Sequence, residues 1–152
     1  SGQGADELFG GYARYMRVLE RLGREGLAEE LWKDLLHMDT VNLQRDRGIT
    51  LANNLDLALP FLDLDVINTA SSLPTRLKVE SSGDPLRKHV LRRTARLFGL
   101  SEEIAMLPKK AVQYGSGSHK AIRTIAKTKG FRNSCDYITS VFMEVFREIR
   151  GV

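Results

Sequence analysis

One cysteine and one tryptophan are all that this 152-residue chain has of two residue types around which small folds are often built. A lone Cys135 closes no internal disulfide and makes no zinc site. It reads as an inert thiol in a reducing compartment, so a cytoplasmic location is expected. No apolar run approaches the ~20 residues of a membrane helix, and no signal-like segment is present. No stretch shows a convincing strand pattern, and there is no internal repeat or low-complexity tail. Charge of one sign is scarce too: 23 basic residues are scattered among 19 acidic ones, for a net +4. That balance argues weakly for anionic ligands and not specifically for nucleic acid.

What remains is 42% apolar and 28% charged, the composition of a soluble globular protein of one-domain size. The chain starts with Ser1 and is expected to be a piece of a longer protein, forming a single domain over 1–152. The periodicity predicts an all-α fragment of about seven helices. Leu8, Tyr12, Tyr15, Met16, Leu19 and Leu22 mark one helix from Ala5 to about Leu22, stopped by Gly23 and Gly26. Leu27 to Met38 repeats the pattern, and the two should pack antiparallel across the glycine turn. A helix near 41–53 is followed by an extended link, through which Pro60 forbids a helix. Asp63 caps a short helix that Pro74 ends. Asp84-Pro85 predicts a helix start, with Leu86, Val90, Leu91, Leu97 and Phe98 as its buried stripe. Ser101 should cap one or two turns through Ile104. Lys109 to Ser118 is glycine-rich and polar, and a closing helix carries a core stripe of Tyr137, Ile138, Val141, Phe142, Val145, Phe146 and Ile149.

The most informative stretch is Ser1-Gly2-Gln3-Gly4-Ala5-Asp6-Glu7-Leu8-Phe9-Gly10-Gly11-Tyr12. Its glycines let a backbone approach a ligand closely, and its acids lead into a helix whose N–H groups point forward. Such a place suits a phosphate, with Asp6 and Glu7 as candidate ligands of a hard cation. A plain glycine turn before a helix gives the same letters.

These twelve residues resemble the S-G-E-G-A/S-D-E-L/V-F-G-G-Y signature of the synthetase domain of glutamine-hydrolysing asparagine synthetases. Pro60-Phe61-Leu62-Asp63 looks like that family's P-F-L-D, and Arg45-Asp46 and Ile49-Thr50-Leu51-Ala52 resemble its R-D and M-S-M-A elements. Lys88 with Leu91-Arg92 is similar to K-x-x-L-R. Lys109 leads a segment similar to the family's lysine loop, with Gly115 and Gly117 at matching offsets. The motifs stand in the right order over nearly the whole chain.

The resemblance implies an α/β ATP-pyrophosphatase-type domain, whose parallel sheet lies mostly upstream and whose C-terminal helical part is this chain. It implies an ATP- and Mg²⁺-dependent ligase that adenylates the aspartate side chain, releases pyrophosphate and transfers ammonia, free or glutamine-derived, to give asparagine. Ser1, Gly2 and Gly4 would then lie on the nucleotide, Asp6 would hold Mg²⁺ against pyrophosphate, and Lys109 would neutralise charge on the phosphates. Gln3 takes the position of a family glutamate at the reacting intermediate. The upstream half of the domain is an implied partner, the fragment alone should be inactive, and a homo-oligomer is left open.

Three departures qualify this. A neutral amide at Gln3 cannot act as a base toward ammonia. Leu107 and Ala58 each replace a family arginine. The S-G-G-x-D-S pyrophosphate loop and the glutaminase domain are absent from these residues. A related protein that adenylates another carboxylate, or binds nucleotide without turnover, is therefore an alternative. A second alternative, of another class, is a non-catalytic helical interaction or nucleic-acid-binding module on the basic 87–96 stretch. The lack of aromatic residues between those charges speaks against it.

Overall fold

The computed structural model describes residues 1–109 and 112–150, without the side chains of Val41, Val112 and Gln113. Lys110, the second lysine of the glycine-rich segment, lies outside the described residues, as does Ala111. Among those described, helices are present and strands are not, so the all-α expectation holds. Among the described residues nine α-helices occur where about seven were expected, the additional ones including the separate short α1 (Ala5–Phe9) and a helical turn at Val112–Gly115. The chain divides into two compact units, Ser1–Lys109 and Lys110–Val152.

In the first unit, α1 (Ala5–Phe9) and α2 (Arg14–Met38) replace the single expected helix over 5–22. Gly10 ends α1 at φ +73, in the left-handed region that favours glycine. A Cβ there would also lie 2.6 Å from Cγ2 of Val79, which is fully buried. Within α2, Gly23 leaves helical geometry altogether (φ +68, ψ −165), while Gly26 stays in the helix. The break reverses the chain: Arg14 and Tyr15 both donate hydrogen bonds to Asp34. A straight helix over 14–34 would hold those residues about 30 Å apart, so the antiparallel reading was right and only its second glycine stop was wrong.

The hairpin closes over Tyr15, Leu27 and Leu31, joined by Val79. Leu27 is fully buried, worth about 1.5–3 kcal/mol of apolar transfer. A π-helical turn, Asp39–Leu43, leads into α3 (Gln44–Ala52). Pro60–Leu62 forms a short 3₁₀ turn, and α4 (Leu64–Ser72) follows, capped as expected by the Asp63 carboxylate accepting from the Asp65 N–H at 2.9 Å. A second apolar cluster gathers Leu8 and Phe9 of α1 with Ala70 of α4, against Phe61, Val90 and Leu91.

Two expectations fail at α5. The helix is His89–Leu97, not a run from Pro85, because Arg87 and Lys88 have φ +55 and +54. Its stripe also ends early: Val90 and Leu91 pack inward, whereas Leu97 and Phe98 are 87% and 89% exposed. The turn α6 (Glu102–Ala105) completes the unit, without a side-chain cap from Ser101.

In the second unit, α7 (Val112–Gly115) puts a helical turn inside the segment expected to be a loop. It packs on α8 (Ser118–Thr128), and α8 packs on α9 (Ser134–Arg150). The expected core stripe of α9 is not buried: Phe142 and Ile149 are 61% and 79% exposed. Periodicity alone reports an apolar face and not what covers it.

Replacing Gly10 with alanine should destabilise the first unit by about 1–3 kcal/mol, since a left-handed residue would gain a Cβ against an immovable Val79. Chemical denaturation measures this, and an unchanged midpoint would contradict the packing described.

Candidate functional site

The carboxylate of Asp6 stands between two ammonium groups. Lys88 Nζ lies 2.7 Å from Oδ1, and Lys109 Nζ donates to Oδ2 at 3.1 Å. All three side chains are about four-fifths buried. Burial alone would raise the Asp6 pKa, but Lys88 and then Lys109 outweigh it and hold the carboxyl below its usual range. The signature's second glycine pair now has a reason. A Cβ on Gly11 would fall 1.7 Å from Asp6 Oδ1 and 2.3 Å from Lys88 Cε, so only glycine lets the pair lie across this backbone.

Lys88 is delivered by a strained turn. Two successive non-glycine residues in the left-handed region cost about 1–2 kcal/mol each, and the surroundings offset this. The buried Asp84 carboxylate accepts from the N–H groups of Leu86 at 2.9 Å, Arg87 at 3.1 Å and Glu80 at 3.1 Å, and pairs with His89 Nε2 at 2.6 Å. Although its own burial opposes ionisation, these donors keep its pKa low. Arg87, also buried, donates to the Gly11 carbonyl at 2.9 Å, tying the turn to the signature.

Arg92 joins the two lysines' supports. Its guanidinium donates to the carbonyls of Arg87 at 2.7 Å, Leu86 at 2.6 Å and Leu107 at 2.9 Å, and also to that of Ala105. One side chain thus fastens the turn before Lys88 to the strip of chain before Lys109. Tyr12 completes the surroundings: Lys109 Nζ sits 5.7 Å from its ring centroid, and its hydroxyl donates to Glu7 Oε1 at 2.6 Å. Burial, then the bond to Glu7, pushes the Tyr12 pKa up, so the phenol stays protonated.

Of the residues singled out from the sequence, Asp6 and Lys109 come together. Gln3 turns elsewhere, its amide donating to Asp46, whose carboxylate also pairs with Arg45 at 2.7 Å. Arg45 and this amide keep the Asp46 pKa low against the opposing effect of burial. Gly4 is buried, and a Cβ there would meet Leu62 at 2.4 Å, so the first signature half packs on the P-F-L-D segment. Ser1 and Gly2 are exposed, and no hydrogen bond joins them to Asp6 or Lys109 among the described residues. Glu7 is 97% buried and meets neither lysine, which removes it as a partner of Asp6 in holding a cation.

Residue periodicity missed Lys88, Arg87, Asp84 and Arg92, because it reads 84–96 as one regular basic helix. The K-x-x-L-R likeness marked Lys88 and Arg92, without assigning either a role.

Chemically, two cations around one carboxylate suit an anion with several charged oxygens, such as a polyphosphate. For a metal the fit is conditional. No group of three or more acidic, histidine or cysteine residues is placed to hold a metal ion among the described residues. Mg²⁺, however, is commonly held by one or two carboxylates plus phosphate oxygens, and Asp6 Oδ1 has no aligned hydrogen-bond donor. The residues therefore fit a metal that arrives with phosphate ligands.

Residues 19–135 match the profile of a family described as asparagine synthase. The chain belongs to the asparagine synthase family. It is 41% identical over 160 residues to the "Putative asparagine synthetase (glutamine-hydrolyzing) 1" of Methanocaldococcus jannaschii, covering 86% of this chain and 29% of that protein. It is 35% identical to the asparagine synthetase domain-containing protein 1 of Gallus gallus, over 86% of this chain and 22% of the relative. With the asparagine synthetase (glutamine-hydrolyzing) of Mesocricetus auratus it shares 35% identity, over 79% and 21%. The chain thus spans less than a third of the length of these relatives. No solved structure matches it, and no helix among the described residues is long and apolar enough to cross a membrane.

Asp84 gives a pH signature. Its folded pKa lies below the ordinary 3.8, so its stabilisation is present above that value and is lost as pH falls through the folded pKa. Asp84→Asn should cost about 2–3 kcal/mol at neutral pH and flatten the acid limb of a stability-against-pH curve. An unchanged acid limb in the variant would contradict this role.

Proposed function

We propose that this chain is the C-terminal helical part, in one domain, of a cytoplasmic ATP-dependent amide ligase that makes asparagine. The observation that carries the proposal is the Asp6 carboxylate held between Lys88 and Lys109, with Asp6 inside a stretch that resembles the asparagine synthetase signature and with the family match over residues 19–135 following it. In this reading a side-chain carboxylate oxygen of aspartate attacks the α-phosphorus of ATP, and the bond to pyrophosphate breaks. Ammonia nitrogen then attacks the acyl carbon, AMP leaves, and the nitrogen loses a proton.

The lysines supply positive charge where the departing pyrophosphate concentrates negative charge. Such charges, already in place in a partly buried site, are worth several kcal/mol. Lys109 is the better suited of the two to follow the phosphates, since it holds Asp6 at 3.1 Å. Lys88 is the shorter contact and is fixed by the turn beneath it. A divalent metal on Asp6 and phosphate oxygens would add Lewis-acid neutralisation of the same charge. Ser1, Gly2 and Gly4 are assigned to the nucleotide by resemblance.

ATP–pyrophosphate exchange with aspartate in the full-length protein tests this reading. Lys109→Ala should slow exchange by about 10²–10³-fold, the usual effect of removing one charge-stabilising donor. Normal exchange in that variant would remove Lys109 from its role.

One observation favours a second reading, in which another carboxylic acid is adenylated. Gln3 binds the Asp46 carboxylate through its amide nitrogen, so a glutamate at this position would face a like charge. Gln3→Glu should therefore fail to raise amide formation from aspartate if the neighbourhood has been rebuilt around the amide. It should raise it several-fold if Gln3 is only a weakened family glutamate. Pyrophosphate release from a panel of carboxylic acids reads out the same question, and strict dependence on aspartate would end the second reading.

A further inference from the structure

A cavity of about 240 Å³ opens between the α2 hairpin, α1 and the chain after α4, and no residue of the Asp6–lysine cluster lines it. Its wall is apolar, from Leu31, Trp32, Leu35 and Leu73. Into this wall is set Lys78, which is 95% buried and whose ammonium makes no hydrogen bond or ion pair among the described residues. Among the described residues only Asp6 Oδ1 and Arg87 Nε are fully buried side-chain polar atoms without a partner, so Lys78 Nζ keeps some accessible surface, and its charge is hemmed in without being sealed off. Lysine is almost never buried this far unless it is paired. Burial alone lowers its pKa, and no neighbouring carboxylate opposes that.

Glu7, across the same cavity, spends one oxygen on Tyr12 and does not come within ion-pair distance of Lys78. Ser71 and Thr75 also line the space, and their hydroxyls make no hydrogen bond among the described residues. Trp32, 49% exposed, is partly open to solvent and can act as a reporter.

We propose that this cavity is a binding site for a small carboxylate with a short apolar body, its carboxylate on Lys78 and its chain against Leu31, Trp32 and Leu35. The volume sets the size. Cavities for drug-sized ligands begin near 300 Å³, so this one takes a molecule of only a few carbon atoms beyond its carboxylate. Such a ligand supplies the counter-charge that Lys78 lacks, and the free hydroxyls offer its oxygens further donors. A free acid and an α-amino acid share this carboxylate chemistry. They differ in whether Glu7 receives an ammonium group.

The experiment is a titration of the full-length protein with 4-methylpentanoate, 4-methylpentanamide and leucine. It is read by the part of the tryptophan emission that Trp32→Phe removes. Saturable binding of the acid or of leucine, at least about tenfold tighter than the amide, supports the site. A gain of leucine over the acid assigns Glu7 to the ammonium. Lys78→Met should abolish the preference for the acid over the amide, while Lys78→Arg should keep it. Because the acid and amide are compared on the unaltered protein, a variant that fails to fold leaves the result readable. Equal response to acid and amide, or no saturable response to either carboxylate, overturns the proposal.

Discussion

The guanidinium of Arg92 decides where the two lysines stand. Four carbonyls, from Leu86, Arg87, Ala105 and Leu107, converge on its donors, two from the turn before α5 and two from the end of α6 and the chain beyond it. Arginine suits this because its rigid fork holds several acceptors in one plane, where a lysine offers a single point charge. With the carbonyls gathered, the left-handed turn at Arg87–Lys88 is held in place, and the chain before Lys109 runs beside it. The two ammonium groups then meet across Asp6.

Below that clamp, the fold uses close backbone approach where most small helical units use bulk. Val79 presses on Gly10, Leu62 on Gly4, and the Asp6–Lys88 pair on Gly11. The glycines of the signature thus have separate structural duties. They pack it against the P-F-L-D segment, end α1, and make room for a charged pair. A phosphate-binding reading based on glycine alone would have missed that at least three of them are contact surfaces for this protein's own side chains.

The same helix α1 serves two environments. Asp6 faces the lysine cluster, while Glu7 and Leu8 face a cavity shared with Trp32 and Lys78. Adjacent acids in the sequence therefore carry different chemistry. One is held ionised by two cations, and the other accepts a hydrogen bond from a phenol.

The sequence by itself determined the helical class, the hairpin between Gly23's neighbours, the Asp63 cap and the likeness that ties Asp6 to Lys109. These rest on local spacing, on turn chemistry, or on a run of specific residue types, all of which can be read along the chain. Only the tertiary structure decided that Asp84 organises a loop instead of starting a helix, that Gln3 turns to Asp46, and that Glu7 leaves the site. It alone showed that Leu97, Phe98 and most of the stripe of α9 are exposed. The physical reason is common to all of these. A carboxylate, an amide or an apolar face takes its meaning from the partner it meets, and those partners lie on other segments of the chain.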